Sequence, residues 1–241
     1  MNMKALVLAA GKSSRLYPLT STLPKCLLPI GDATILDYQV RALLATGVTE
    51  LVIVVGFQKE KIIDHLTARS YPLSIIYVEN PEFDSSHPIR SLWHARQHLH
   101  GTVLFFHCDV LFAVSAIQQL IEDTHQTTLL YRNDAWDEEA GKIIVDRSGR
   151  VRELGKHIER GRASGEYLQV AKLDGAFCTA LVATLEKRIA RGHDSYTIDA
   201  LNDVANMPTV EAWSSAFDGF AMEIDTPDDY AAAQIAWNTS T

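Results

Sequence analysis

Four times in its first half the chain passes from a short apolar, largely β-branched run into a longer amphipathic one. "KALVLAA" leads to "ATILDYQVRALLATG", "ELVIVVG" to "KEKIIDHLTAR", "LSIIYVE" to "PIRSLWHARQHL", and "TVLFFHCDVLF" to "VSAIQQLIED". A strand buried on both faces reads as a continuous apolar run, and a helix between successive strands lets them lie parallel. The pattern predicts a Rossmann-like, doubly wound α/β fold with a mostly parallel sheet. Gly47 falls where a helix stop is expected, and Pro88 where a helix can begin.

The second half changes character. "TTLLYR", "GKIIVD", "RVRELGK" and "YLQVAKL" read as strands separated by the turn signals "DRSGR" and "RGRASG", which predicts a mixed, partly antiparallel region. "AFCTALVATLEKRIA" and "TIDALNDVA" read as helices, "TVEAWSS" and "GFAMEI" as short strands, and "TPDDYAAAQIAW" as a last helix. Thr226 is placed to cap that helix, with Pro227 at its first position and Asp228 and Asp229 in its first turn. With 241 residues, 47% hydrophobic and 22% charged, the chain is expected to form one domain over residues 1–241.

A formal charge of -8, from 30 acidic and 22 basic residues, provides no global attraction to nucleic acid or an anionic membrane, so neither is an expected partner. The opening "MNMKALVLAAG" is too short for a secretion signal or a membrane span, and no later run reaches that length, which implies a soluble, cytoplasmic protein. Cys26, Cys108 and Cys178 are odd in number and lack C-x-x-C spacing, against a disulfide framework or a zinc site.

In an open parallel sheet ligands bind beyond the carboxyl ends of the strands, which directs attention to "LAAGKSSRLYPLTSTLPKCLLPIG" after the first strand. Its Gly-Lys-Ser is not an ATPase P-loop, because the position that needs the first glycine is Leu6, inside the strand. Ala9, Ala10 and Gly11 let phosphates approach the backbone. Arg15 offers a fork for phosphate oxygens and Lys25 a point charge, with Pro24 stiffening the approach to it. A long aperiodic loop of this kind is more often functional than idle.

This loop resembles the signature of the nucleotidyltransferases that join an NTP to a phosphorylated sugar or alcohol, A-A-G-x-G-x-R-L-x-P-L-T followed by P-K, with Ser13 in place of its second glycine. "FHCDVLF" is similar to the family's strand-end G-D-V or A-D-V, with His107 where glycine or alanine is commoner; "MEIDTPDDY" is similar to its E-I-D-T-P. The resemblance implies a nucleotidyltransferase fold, with a nucleotide half at about residues 1–112 and an acceptor half at about residues 113–241. It implies nucleotide contacts from Leu8, Ala9, Ala10, Gly11, Ser13, Ser14, Arg15, Lys25 and Asp109, and Mg²⁺ held by Asp109 and Asp225. An acceptor phosphate oxygen would attack the α-phosphorus of the NTP and pyrophosphate would leave. Because that phosphate is already ionised at neutral pH, positioning and charge neutralisation by Arg15, Lys25 and Lys156 would carry catalysis.

"ENPEFDSSHPIRSLWHAR" further resembles the N-P-x-Y-x-x-x-N-N-I-x-S-L segment of the cytidylyltransferases acting on phosphocholine and aminoalkylphosphonates, with Ser86-His87-Pro88 in place of Asn-Asn. This favours CTP, with Gly56, Ser86 and Ser91 as candidate base contacts. It also implies an acceptor site of Lys156 and Glu166 with Trp136 and Tyr196, whose ring faces suit a quaternary ammonium. The alternative is a sugar-1-phosphate nucleotidyltransferase using UTP, dTTP or GTP. A non-catalytic nucleotide-binding relative is opposed by the paired aspartates and cations. A dinucleotide oxidoreductase is opposed by the absence of G-x-G-x-x-G, and a zinc site at His94 and His98 by the missing glutamate between them.

Overall fold

The computed structural model describes residues 3–134 and 136–240, the last three without their side chains. Strands β1 (Met3–Ala9), β4 (Glu50–Val55), β5 (Ser74–Glu79) and β6 (Thr102–His107) pair in parallel in the order β5-β4-β1-β6. Between them run the short ribbon β2 (Pro29–Ile30) with β3 (Ala33–Thr34), then α1 (Ile35–Ala45), α2 (Lys59–Arg69) and α3 (Pro88–His94). The period-2 alternation of β1 sorts its residues between two cores. Ala5, Val7 and Ala9 pack with α1 and α2, while Leu6 and Leu8 face Ile89 and Leu92 of α3. The expected doubly wound sheet is present, covered on both faces.

Local signals act as the sequence indicates. After α1, the Gly47 N–H donates to Leu44 at 3.1 Å and the Val48 N–H to Leu43 at 2.9 Å. Gly47 itself has φ +79, so this is a Schellman stop requiring the glycine. Pro88 opens α3, and Thr226 and Asp229 exchange side-chain to backbone bonds at 3.2 and 2.7 Å as a capping box for α7 (Pro227–Ser240).

One boundary differs from expectation. "TVLFFHCDVLF" is two strands: β6 ends at His107, the chain turns at Cys108 and Asp109, and β7 (Val110–Phe112) leaves the main sheet. After α4 (Val114–Glu122) come β8 (Thr128–Arg132), β9 (Lys142–Val145), β10 (Val151–Gly155) and β11 (Gly165–Leu173), then α5 (Gly175–Ala190), α6 (Thr197–Ala205), β12 (Trp213–Ala216) and β13 (Ala221–Glu223). β11 runs antiparallel to β6, which starts the mixed region. At Ala171 it lies between Leu129 of β8 and Phe105 of β6; at Glu166 it lies between Arg132 of β8 and Lys142 of β9. β11 therefore exchanges one neighbour for another midway, and the bulge at that crossing holds Gln169 at φ +56. β13 pairs with β7, outside the main sheet.

Candidate active site

The site lies where β1 and β6 end. Two cavities meet there: a cleft of about 480 Å³ bordered by the signature loop and residues 80–91, and a smaller one of about 110 Å³ between Gln169, Gly141, Lys156 and the start of α6. Arg15, Pro88, His107 and Asp109 line both.

The pairing of β7 with β13 explains how residues more than a hundred positions apart meet. Glu223 lies opposite Val110, and the Ile224 N–H donates to the Asp109 carbonyl at 2.9 Å. Ile224 is fully buried in a third core with Leu16, Leu28, Leu111 and Trp237, so strand alternation turns Glu223 and Asp225 to the opposite side, toward Asp109. That core also anchors the signature loop through Leu16 and Leu28, fixing loop and carboxylates to one another. From α1, the buried Gln39 amide donates to the carbonyls of His107 (2.9 Å) and Val110 (2.8 Å), clamping both ends of the turn that carries Asp109.

Asp109, Glu223 and Asp225 each offer a carboxylate oxygen within 4.8 Å of the others. Asp109 Oδ1 is buried and has no hydrogen-bond partner among the described residues. An oxygen-only donor set with an unsatisfied buried oxygen suits a small hard cation such as Mg²⁺. Lys25 Nζ bridges the other oxygens, at 2.6 Å from Asp225 and 3.2 Å from Asp109, and Arg15 reaches Asp225 at 2.6 Å. Burial opposes the Lys25 charge, but the two aspartates outweigh it and hold the ammonium well above its usual pKa. Burial likewise opposes the Asp225 charge, and Lys25 and Arg15 overcome it to lower that carboxyl. Burial, then Asp109 and Asp225, push Glu223 up to about 8, and the opposing Lys25 charge and a hydrogen bond with Gln169 only partly offset them.

The sequence-derived residues divide into groups. Leu8, Ala10, Gly11, Ser13, Ser14, Arg15, Ser86, Ser91 and Asp109 line the larger cleft. Ser13 adopts φ 51, ψ 48, the left-handed conformation that accounts for glycine in the signature. Ala9 and Gly56 do not line it. Ala9 faces the opposite core, and a Cβ at Gly56 would meet Phe83 at 2.7 Å and the Ala10 carbonyl at 2.8 Å, so this glycine permits close packing behind the wall. Lys25 lines neither cavity; it is buried, with its ammonium between Asp109 and Asp225.

Lys156 and Tyr196 line the smaller cavity, with Lys156 Nζ 4.5 Å from the Tyr196 ring centre. Trp136 and Glu166 do not. Trp136 lies beside Lys142 and Arg160, at 4.9 and 5.5 Å, and Glu166 accepts the Asp137 N–H beside a separate depression, so the two aromatic rings do not enclose one point. Sequence reasoning passed over Glu223, Gln169 and Gln39. Glu223 was legible, two residues before Asp225 in the matched E-I-D-T-P segment and so on the same strand face; Gln39 and Gln169 act through tertiary contacts that leave no local pattern.

The site thus lies at the carboxyl ends of a doubly wound sheet, with three carboxylates beside a small-residue loop, where the resemblance to the nucleotidyltransferases expects it. The chain belongs to the MobA-like NTP transferase domain family, which it matches over residues 5–188. It is similar to the choline-phosphate cytidylyltransferase of Streptococcus pneumoniae, 25% identical over 95% of each chain. Among solved structures it resembles the CTP:phosphocholine cytidylyltransferase from Streptococcus pneumoniae, with a TM-score of 0.77 at 21% identity over 98% of this chain and 100% of that one. It also resembles a UDP-glucose pyrophosphorylase, with a TM-score of 0.80 at 18% identity over 100% of both. The shared fold therefore does not choose the base or the acceptor. Among the described residues, no helix is long and apolar enough to cross a membrane.

Proposed function

We propose that the protein transfers a cytidylyl group from CTP to a small phosphorylated acceptor that carries a cation, such as phosphocholine or an aminoalkylphosphonate. The observation carrying this reading is the end-to-end similarity to a choline-phosphate cytidylyltransferase together with the two adjoining cavities, one roomy and one small. The larger cleft suits the nucleotide, with the signature loop at its phosphates and Ser86 and Ser91 near its base. The smaller suits the acceptor: Lys156 and Arg15 face its phosphate, and the Glu139 carboxylate and Tyr196 face its cation.

Asp109, Glu223 and Asp225 would hold Mg²⁺, which when bound neutralises charge on the reacting phosphates. The chain's own part is alignment. Lys25 fixes the two aspartates, Arg15 bridges Asp225 and the phosphates, and Lys156 leaves the Tyr196 ring for the acceptor phosphate, so that attacking oxygen and leaving pyrophosphate lie in line.

Pyrophosphate release with Mg²⁺ tests the reading over CTP, UTP, GTP, ATP and dTTP against phosphocholine, 2-aminoethylphosphonate, glycerol phosphate and sugar 1-phosphates. Turnover confined to CTP with the amine-bearing acceptors is expected. Turnover with a sugar 1-phosphate and UTP, dTTP or GTP would replace it with the sugar-nucleotide reading.

A further inference from the structure

His107 occupies the last position of β6 and is, among the described residues, one of four that line both cavities. It is the bulkiest of the four that carries no fixed charge. Two contacts hold its ring: Nε2 meets the Thr197 hydroxyl at 3.0 Å at the start of α6, and the Phe105 ring packs edge-on at 5.5 Å. Thr197 is itself buried, so the imidazole cannot swing aside without breaking a bond between β6 and α6. The neighbouring wall is braced as well: the His87 N–H donates to both carboxylate oxygens of Asp194 at 3.1 and 3.0 Å, the Ile89 N–H to the Ser195 carbonyl at 3.3 Å, and the His87 ring packs against Tyr196 at 5.4 Å.

We infer that His107 determines acceptor size: its ring is the partition that keeps the acceptor cavity at about 110 Å³ and restricts it to slender, acyclic phosphorylated acceptors, excluding those with a pyranose ring. Removal of the ring joins the two cavities at their shared wall and admits a bulkier acceptor. This inference rests on the nucleotidyl-transfer reading of the site but not on the choice of CTP.

The test compares wild type, His107→Ala and His107→Gln with phosphocholine and glucose 1-phosphate, by kcat/KM and independently by calorimetric binding of each acceptor. In His107→Ala, the preference for phosphocholine over glucose 1-phosphate is expected to fall by about 10-fold or more, through better use of the sugar. In His107→Gln, whose side chain has similar reach and can bond Thr197, phosphocholine remains preferred. Thermal melting of both variants verifies that α6 stays docked. An unchanged ratio in folded His107→Ala, or equal losses for both acceptors, overturns the inference. If wild type releases no pyrophosphate with any pair, the transfer reading fails, while the calorimetric ratio still decides whether His107 limits the cavity.

Discussion

Replacing Lys25 with methionine removes one charge from the centre of the site while keeping a side chain of similar length and apolar stem. In the native protein Lys25 is 5% exposed and its ammonium bonds Asp225 at 2.6 Å and Asp109 at 3.2 Å. Without it, Asp109, Glu223 and Asp225 are left converging, with the exposed Arg15 paired to Asp225 and Lys156 across the smaller cavity. Removing one partner of a buried ion pair typically destabilises by about 3–5 kcal/mol, because the remaining charges stay desolvated and unpaired. The loss should depend on pH with a defined sign. Lys25 and Arg15 lower the Asp225 carboxyl, so native pairing contributes stability at neutral pH that is lost as pH falls through the carboxylate range. The variant gains over the same range as its repelling carboxylates take up protons, so the two stabilities converge in acid. Urea denaturation at neutral and acidic pH, each with and without Mg²⁺, measures this, and Mg²⁺ should recover part of the neutral-pH loss by replacing the missing positive charge. Turnover should fall on the order of 100-fold or more, since the aspartates lose their orientation. A neutral-pH loss below about 1 kcal/mol that neither acid nor Mg²⁺ changes would refute the view of Lys25 as the charge that holds the cluster together.

Gln39→Leu removes both donors that clamp the Asp109 turn. Mg²⁺ affinity measured by calorimetry without substrate should weaken by about 10-fold with the fold intact, whereas a purely structural role would lower the melting temperature and leave metal binding unchanged. Because the Glu223 carboxyl is pushed up to about 8, Mg²⁺ must displace a proton below that pH. Affinity should therefore rise with pH, by at most roughly tenfold per unit, and level off above about pH 8; titration in buffers of different ionisation enthalpy reads the released proton, and Glu223→Gln should abolish the slope.

The alternation of apolar runs and amphipathic segments was enough to determine the parallel sheet, since burial on both faces leaves the same imprint in any sequence. Punctuation was equally local: Gly47, Pro88 and Thr226 act within a turn of where they stand. The signature loop, Asp109 and Asp225 were also legible, because their residue types and order match a family pattern. What the sequence could not disclose depended on distant partners. The break after His107 is invisible in "TVLFFHCDVLF", as the apolar run continues; only pairing of β7 with β13 draws the chain out of the main sheet and brings Glu223 and Asp225 to Asp109. The same contacts bury Lys25 against Asp109 and Asp225, keep Trp136 and Glu166 away from the smaller cavity, and place Gly56 behind the wall. Residue type and spacing thus determined which chemistry the chain can carry out. The tertiary structure decided which groups share a desolvated space, because charge, exposure and reach belong to the assembled neighbourhood rather than to any one segment.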